Sequence, residues 1–239
     1  MEKSLIQYSK KQHSGLYLWG GIVALFIVFA GFARTFYLKG MFATPELSNL
    51  LIVHGVLMTM WFGFFILQVS LNYAGRNDVH RRVGIVGVVL AMFLVVLGVM
   101  VTIESGRSGI SPVPDVPAFV FMSVPLFDIG IFAAFVLAAV FLRRKPEAHK
   151  RLMLLATLSI LTAPIARIPL AFIEQGNIIL FFGIMVLLVL AALAVDTWKH
   201  RKLHPVMAVG AGIIIISVPF RLIIANTEPW MQLMGWLTR

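Results

Sequence analysis

The sequence predicts an all-α, polytopic membrane protein: one domain, residues 1–239, forming a seven-transmembrane-helix bundle with a cytoplasmic N-terminus and the C-terminus outside. Three observations carry this reading. Apolar side chains make up 60% of the chain and charged ones only 13%, against about 45–50% and about 25% in a soluble domain. Seven segments hold roughly 20 mostly apolar residues, the length a helix needs to cross hydrocarbon without stranding backbone polar groups. Lysine and arginine are distributed unequally between alternate loops. The net charge of +10 is then the charge of cytoplasmic loops, and no nucleic-acid partner is needed to explain it. The absence of cysteine excludes disulfides, thiolate metal sites and thiol catalysis.

The expected spans are residues 15–37, 49–72, 82–103, 117–142, 151–173, 178–195 and 205–225. Turn formers and charges separate them: Gly40 and Pro45, then Gly75 to Asp78, then Glu104 with Pro112 and Pro114. The later separators are residues 143–150, 174–177 and 197–204. The seventh span is the shortest argument, because Pro219 stands near its outer end. With the N-terminus inside, fourteen of the twenty basic residues fall on the cytoplasmic side, and Arg34, Lys39, Arg107, Arg167, Arg221 and Arg239 fall on the other. This orients the bundle with the N-terminus inside and the C-terminus outside. The first apolar stretch reads as a signal anchor rather than a cleavable peptide. A retinal protein would carry a lysine in the last span, which has none. A G-protein-coupled receptor would start outside.

Three cytoplasmic hairpins end alike, with a basic turn followed by a histidine that opens an outward-going helix: His80, His149 and His204. Imidazoles from several helices at one depth are a means of holding haem b or a metal ion. The same residues serve equally well as polar boundary groups beside lipid-facing Arg and Lys. The helix N-terminus disfavours imidazolium in either case.

Ionisable groups inside hydrocarbon are costly and point to function. His54 lies about five residues into the second span, roughly 8 Å deep. With Met58, Trp61, Phe65 and Gln68 it forms one face of that helix, suited to a flat ligand or to helix packing. Arg34, Arg167 and Arg221 share the outer level with His54, and Tyr37, Glu104 and Glu174 are placed to join them. Together they outline a site for an anionic or quinonoid group. Arg167 lies between Pro164 and Pro169, where a bend would free carbonyls for it. Asp128 sits near mid-membrane and must be protonated or paired, with a proton-relay role as one consequence. His200 and His204 straddle a turn, and His13 stands in a polar tail.

Two stretches carry a resemblance: His54-Gly55…Trp61…Gln68…Gly75-Arg76…His80-Arg81-Arg82-Val83-Gly84, and His149-Lys150-Arg151-Leu152-Met153-Leu154. With Phe32 to Tyr37 and Pro125 to Asp128, they resemble a bacterial polytopic inner-membrane family defined by a domain of unknown function. The histidine-basic helix openings are also distantly similar to small membrane proteins of haem and cytochrome-oxidase assembly. The leading expectation is a haem- or quinone-associated protein, accessory to respiration, with His80 and His149 as inner ligands and His54 with the three arginines as an outer site. A proton-coupled or small-solute transporter is the second expectation. A scaffold subunit contacting partner chains of a membrane complex is the third.

Overall fold

A computed structural model of the protein describes residues 2–109, 111, 113, 116–170, 173 and 178–239, with side chains from residue 15 onward except that of Ile178. Glu174, Pro112, Pro114, the 174–177 separator and the side chain of His13 lie outside the described residues.

Every regular element among the described residues is helical. Helix α1 (Glu2–Phe32) runs into one π-helical turn, Ala33–Tyr37, and a 3-10 turn, Lys39–Met41. Ser48 caps α2 (Asn49–Tyr73) by accepting the Leu51 N–H at 3.3 Å. Gly75, at φ 74°, reverses the chain into α3 (Asn77–Arg107), a conformation glycine adopts without a Cβ penalty. Next come α4 (Ala118–Phe121), α5 (Ser123–Phe141), α6 (Pro146–Ser159) and α7 (Thr162–Ile165). The chain ends with α8 (Ile178–His200), α9 (Pro205–Ile224) and α10 (Glu228–Leu237). Pro205 stands at the first position of α9, where its missing N–H costs nothing.

Six segments are long and apolar enough to cross a membrane: Gly15–Tyr37, Asn49–Tyr73, Asn77–Arg107, Ala118–Phe141, Ile179–His200 and Pro205–Ile224. They answer to six of the seven expected spans, and the last of them absorbs Pro219 within the helix. The departure falls on the fifth. Residues 151–173 do not form one helix: α6 stops at Ser159 and α7 begins at Thr162. The reason is Pro164, which supplies no N–H and whose ring collides with the carbonyl four residues back, at Ile160. The chain therefore breaks a turn earlier than the bend expected between Pro164 and Pro169.

The interrupted segment is the centre of the bundle. Helix α6 packs on α5, α1, α8 and α9, and Leu152 and Leu154 to Ser159 are buried. Its start is level with Tyr17 of α1, since Arg151 and Tyr17 both bind Asp196. Its far end is level with Phe32, over whose ring Arg167 lies at 5.4 Å. From Tyr17 to Phe32 a helix rises roughly 22 Å, so the segment covers most of the apolar length of α1. Outward-facing Phe26, Met92, Phe93, Leu187, Ile216 and Ile223 are exposed, the belt expected of helices solvated by lipid. Helix α10, beyond the seven expected spans, folds back on α4. The Trp230 indole donates to the Phe119 carbonyl at 2.8 Å, and Met122, Ala225, Trp230 and Met234 form a small second core.

Helix α1 meets the break in closest contact at Gly31, where a Cβ would run into the backbone carbonyl of Pro164. Backbone cannot move aside as a flexible side chain can. Gly31→Val is expected to lower the thermal midpoint in detergent by several degrees and to cut the yield of folded protein, as read by fluorescence-detected size exclusion. Gly63→Val, where nothing lies within 4 Å, is the matched control and leaves both unchanged.

Candidate functional site

The geometry of the inner histidines follows from their register. His80 is the fourth residue of α3 and His149 the fourth residue of α6. Each ring turns back onto the preceding helix of its hairpin. His80 Nδ1 bonds the Gln68 carbonyl at 3.2 Å and His149 Nδ1 bonds the Ala139 carbonyl at 2.8 Å. A carbonyl only accepts, so both Nδ1 atoms carry the proton and each neutral ring keeps its lone pair on Nε2. The ring centres are 6.3 Å apart with 89° between the planes. Two equivalent hairpins thus bring two oriented imidazoles together.

His204 does not join them. It is the N-cap of α9, and its Nδ1 accepts the Val206 N–H at 3.2 Å. Its pKa is lowered, first by desolvation and then by Arg151, with Asp196 and Glu147 opposing. A three-histidine metal site built from His80, His149 and His204 is therefore not formed. Among the described residues no three metal-capable side chains converge. The difference is positional: a fourth-residue side chain reaches the neighbouring helix, whereas an N-cap side chain is spent on its own helix.

His204 lies near a buried ionic network. Asp196 accepts from Tyr17 Oη at 3.0 Å and from Arg151 Nε at 2.8 Å, and both charged residues are enclosed. Arg151 Nη1 also donates to the Glu147 carboxylate at 2.7 Å and to its carbonyl at 2.8 Å, and Lys150 reaches the other carboxylate oxygen at 2.8 Å. Burial alone would raise the pKa of Glu147, but hydrogen bonds from Lys150 and Arg151 outweigh it and bring it from 4.5 to about 2. Asp196 went unremarked in the sequence because it sits at the edge of an apolar run, beside a basic loop. Its depth follows only from packing.

The outer arginines make individual contacts within the fold. Arg221, fully buried, donates to Asp128 at 2.6 Å, to the Ser217 hydroxyl at 2.8 Å and to the carbonyls of Ser217 and Val124 at 3.3 Å. Phe127 and Phe182 cover it, with ring centres 5.6 and 5.3 Å away. Asp128 thus takes an arginine partner, the pairing that its depth requires, and Arg221 is not available to an anionic ligand. Arg167 donates to the carbonyl of Ala163 at 3.1 Å, a use of the freed backbone anticipated at the bend. Arg34 lies over Phe42 at 5.8 Å. Tyr37 Oη is bonded to Thr59 Oγ1 at 2.6 Å, and Glu104 faces Arg107 at 4.0 Å. Of the outer site expected of His54, Arg34, Arg167 and Arg221, the last is withdrawn into its pair with Asp128.

The α2 face holds, in a different sense. His54 approaches Gly98 of α3, 3.9 Å from where a Cβ would stand, and the Trp61 ring meets Phe132 of α5 at 4.8 Å. Gln68 lies beside His80 through its carbonyl. His54 Nδ1, Trp61 Nε1 and both amide atoms of Gln68 are buried without a hydrogen-bond partner. A buried unsatisfied polar group costs about 1–3 kcal/mol, so three on one face stand out. No protein-family model, no curated protein and no solved structure matches the chain, and the arrangement is interpreted through its own chemistry.

Removing one member of a buried pair leaves a charge in low dielectric, at about 3–5 kcal/mol, whereas exchanging both for apolar groups of similar size is nearly neutral. Asp128→Ala is therefore expected to destabilise strongly in a denaturant titration in detergent, and Asp128→Leu combined with Arg221→Met to recover most of the loss. Glu147 predicts an acid-side dependence. Its folded pKa of about 2 lies below the ordinary 4.5, so its contribution is complete above 4.5 and is lost as pH falls towards 2. The thermal midpoint of wild type should drop across that window more steeply than that of Glu147→Gln.

Proposed function

We propose that the protein is a haem-binding membrane protein of the redox class, accessory to respiratory electron transfer in a bacterial inner membrane, with His80 and His149 as the residues that would hold haem b. The supporting observation is the pair itself. Backbone-anchored Nδ1–H groups are the usual outer support of a ligating imidazole, fixing its tautomer and raising the basicity of Nε2. The ring centres stand 6.3 Å apart, within reach of one bound metal at metal–nitrogen bonds of about 2 Å. Gly84, one turn on from His80 on the same face, has no atom within 4 Å of a Cβ position, which favours room for a flat group. Arg76, Arg81 and Arg82 on one turn, and Arg143, Arg144 and Lys145 on the other, are suited to propionates. Haem would supply one-electron chemistry; the chain orients the ligands and excludes water.

In this reading the chain crosses seven times, N-terminus inside and C-terminus outside, the interrupted fifth segment being a crossing. Two facts support it. The basic turns at residues 143–145 and 199–202 belong on one side by charge, and α6 begins beside the end of α8 through Arg151 and Asp196. The break in the fifth segment also favours a second reading, a proton-coupled transporter, because interrupted helices beside a buried carboxylate commonly mark substrate sites. Against it, Asp128 is fully engaged by Arg221.

The test is an optical spectrum of protein produced with haem supplied and purified in mild detergent, oxidised and dithionite-reduced. A Soret band with sharpened reduced α and β bands is expected, and it should be lost in His80→Ala and in His149→Ala but kept in His204→Ala. A protein without a Soret band, or one whose band survives both substitutions, would reject the assignment.

A further inference from the structure

The orphaned polar groups of α2 do not belong to the haem pair, and together they form a track. They recur every seven residues, at His54, Trp61 and Gln68, on the face turned to α3 and α5. The level of each is set by a contact: His54 with Gly98, Trp61 with Phe132, Gln68 with His80. At 1.5 Å per residue the track is roughly 21 Å long, with about 8 Å of α2 beyond it at either end. Trp61 is 1% exposed, so neither lipid headgroups nor bulk solvent can satisfy its indole N–H. The gap of roughly 10 Å between successive groups is too wide for direct hydrogen bonds. Water molecules, each needing two to four polar partners, fit such a spacing.

We propose that the seam between α2, α3 and α5 holds a file of ordered water and conducts protons along His54, Trp61 and Gln68. Water accepts from Trp61 Nε1, exchanges both roles with the Gln68 amide, and meets at His54 a ring able to accept a proton on one nitrogen while releasing one from the other. The proton enters at His54, moves from water to water, and leaves beyond Gln68; no bond other than O–H and N–H changes. The proposal does not rest on haem, since none of its three groups is one of the two proposed ligands. Its failure and that of the haem assignment are therefore separate results.

The experiment uses full-length protein in liposomes enclosing a pH-sensitive dye, with potassium and valinomycin setting the interior negative. Acidification at least tenfold faster than in empty liposomes is expected, falling at least tenfold in Gln68→Leu and in Trp61→Phe, which keep most of the side-chain volume. Hydroxyl-radical labelling by X-ray pulses reads the water directly: Trp61 should be oxidised in wild type and several-fold less in Gln68→Leu. A wild-type rate equal to that of empty liposomes overturns the proposal, as does a rate unmoved by both substitutions. Background labelling of Trp61, with a raised thermal midpoint in both variants, also overturns it, because that is the behaviour of a dry core relieved of unsatisfied groups.

Discussion

Inside hydrocarbon a polar group can be satisfied only by another polar group of the protein or by water that the protein encloses, and this constraint accounts for the features that depart from a plain bundle. Pro164 breaks the ladder of the fifth segment, and the freed backbone must find partners within the fold. It does so with Arg167 donating to the Ala163 carbonyl and Gly31 of α1 lying directly against Pro164. A segment interrupted in this way could not face lipid. Its central position follows from its chemistry.

The same constraint sorts the charged residues. Arg221 and Arg151, both enclosed, each spend their donors on a buried aspartate and on nearby carbonyls. These two clusters tie α5 to α9 and α6 to α8 and α1, at opposite ends of the interrupted segment. Such pairs contribute little net stability, because desolvation offsets most of the attraction. Their consequence is register: a shift of either helix would strand an ion. What remains unsatisfied among buried side chains is then informative, and a large part of it lies on one face of α2.

The two-histidine arrangement shows how a short local pattern becomes a site. Both hairpins place a histidine fourth in the second helix, and both use a carbonyl of the first helix to anchor it. The third hairpin has the same kind of basic turn but puts His204 one residue before its helix, and that shift of four positions turns a cross-helix contact into a cap.

Composition, apolar run length and the bias of basic residues made the helical membrane class and six membrane-length helices legible, because those depend on transfer free energies summed over many residues and little on packing. The register of the α2 face and the recurring basic-histidine turns were legible for a similar reason, being properties of one helix or one hairpin. The choice of Arg221 as partner of Asp128, the enclosure of Asp196 and the separation of His204 from His80 and His149 were decided by tertiary structure alone. Each depends on which of several chemically equivalent groups packing brings within about 3 Å, and a hydrogen bond that short is set by the relative rotation and depth of whole helices, which no local run of residues encodes.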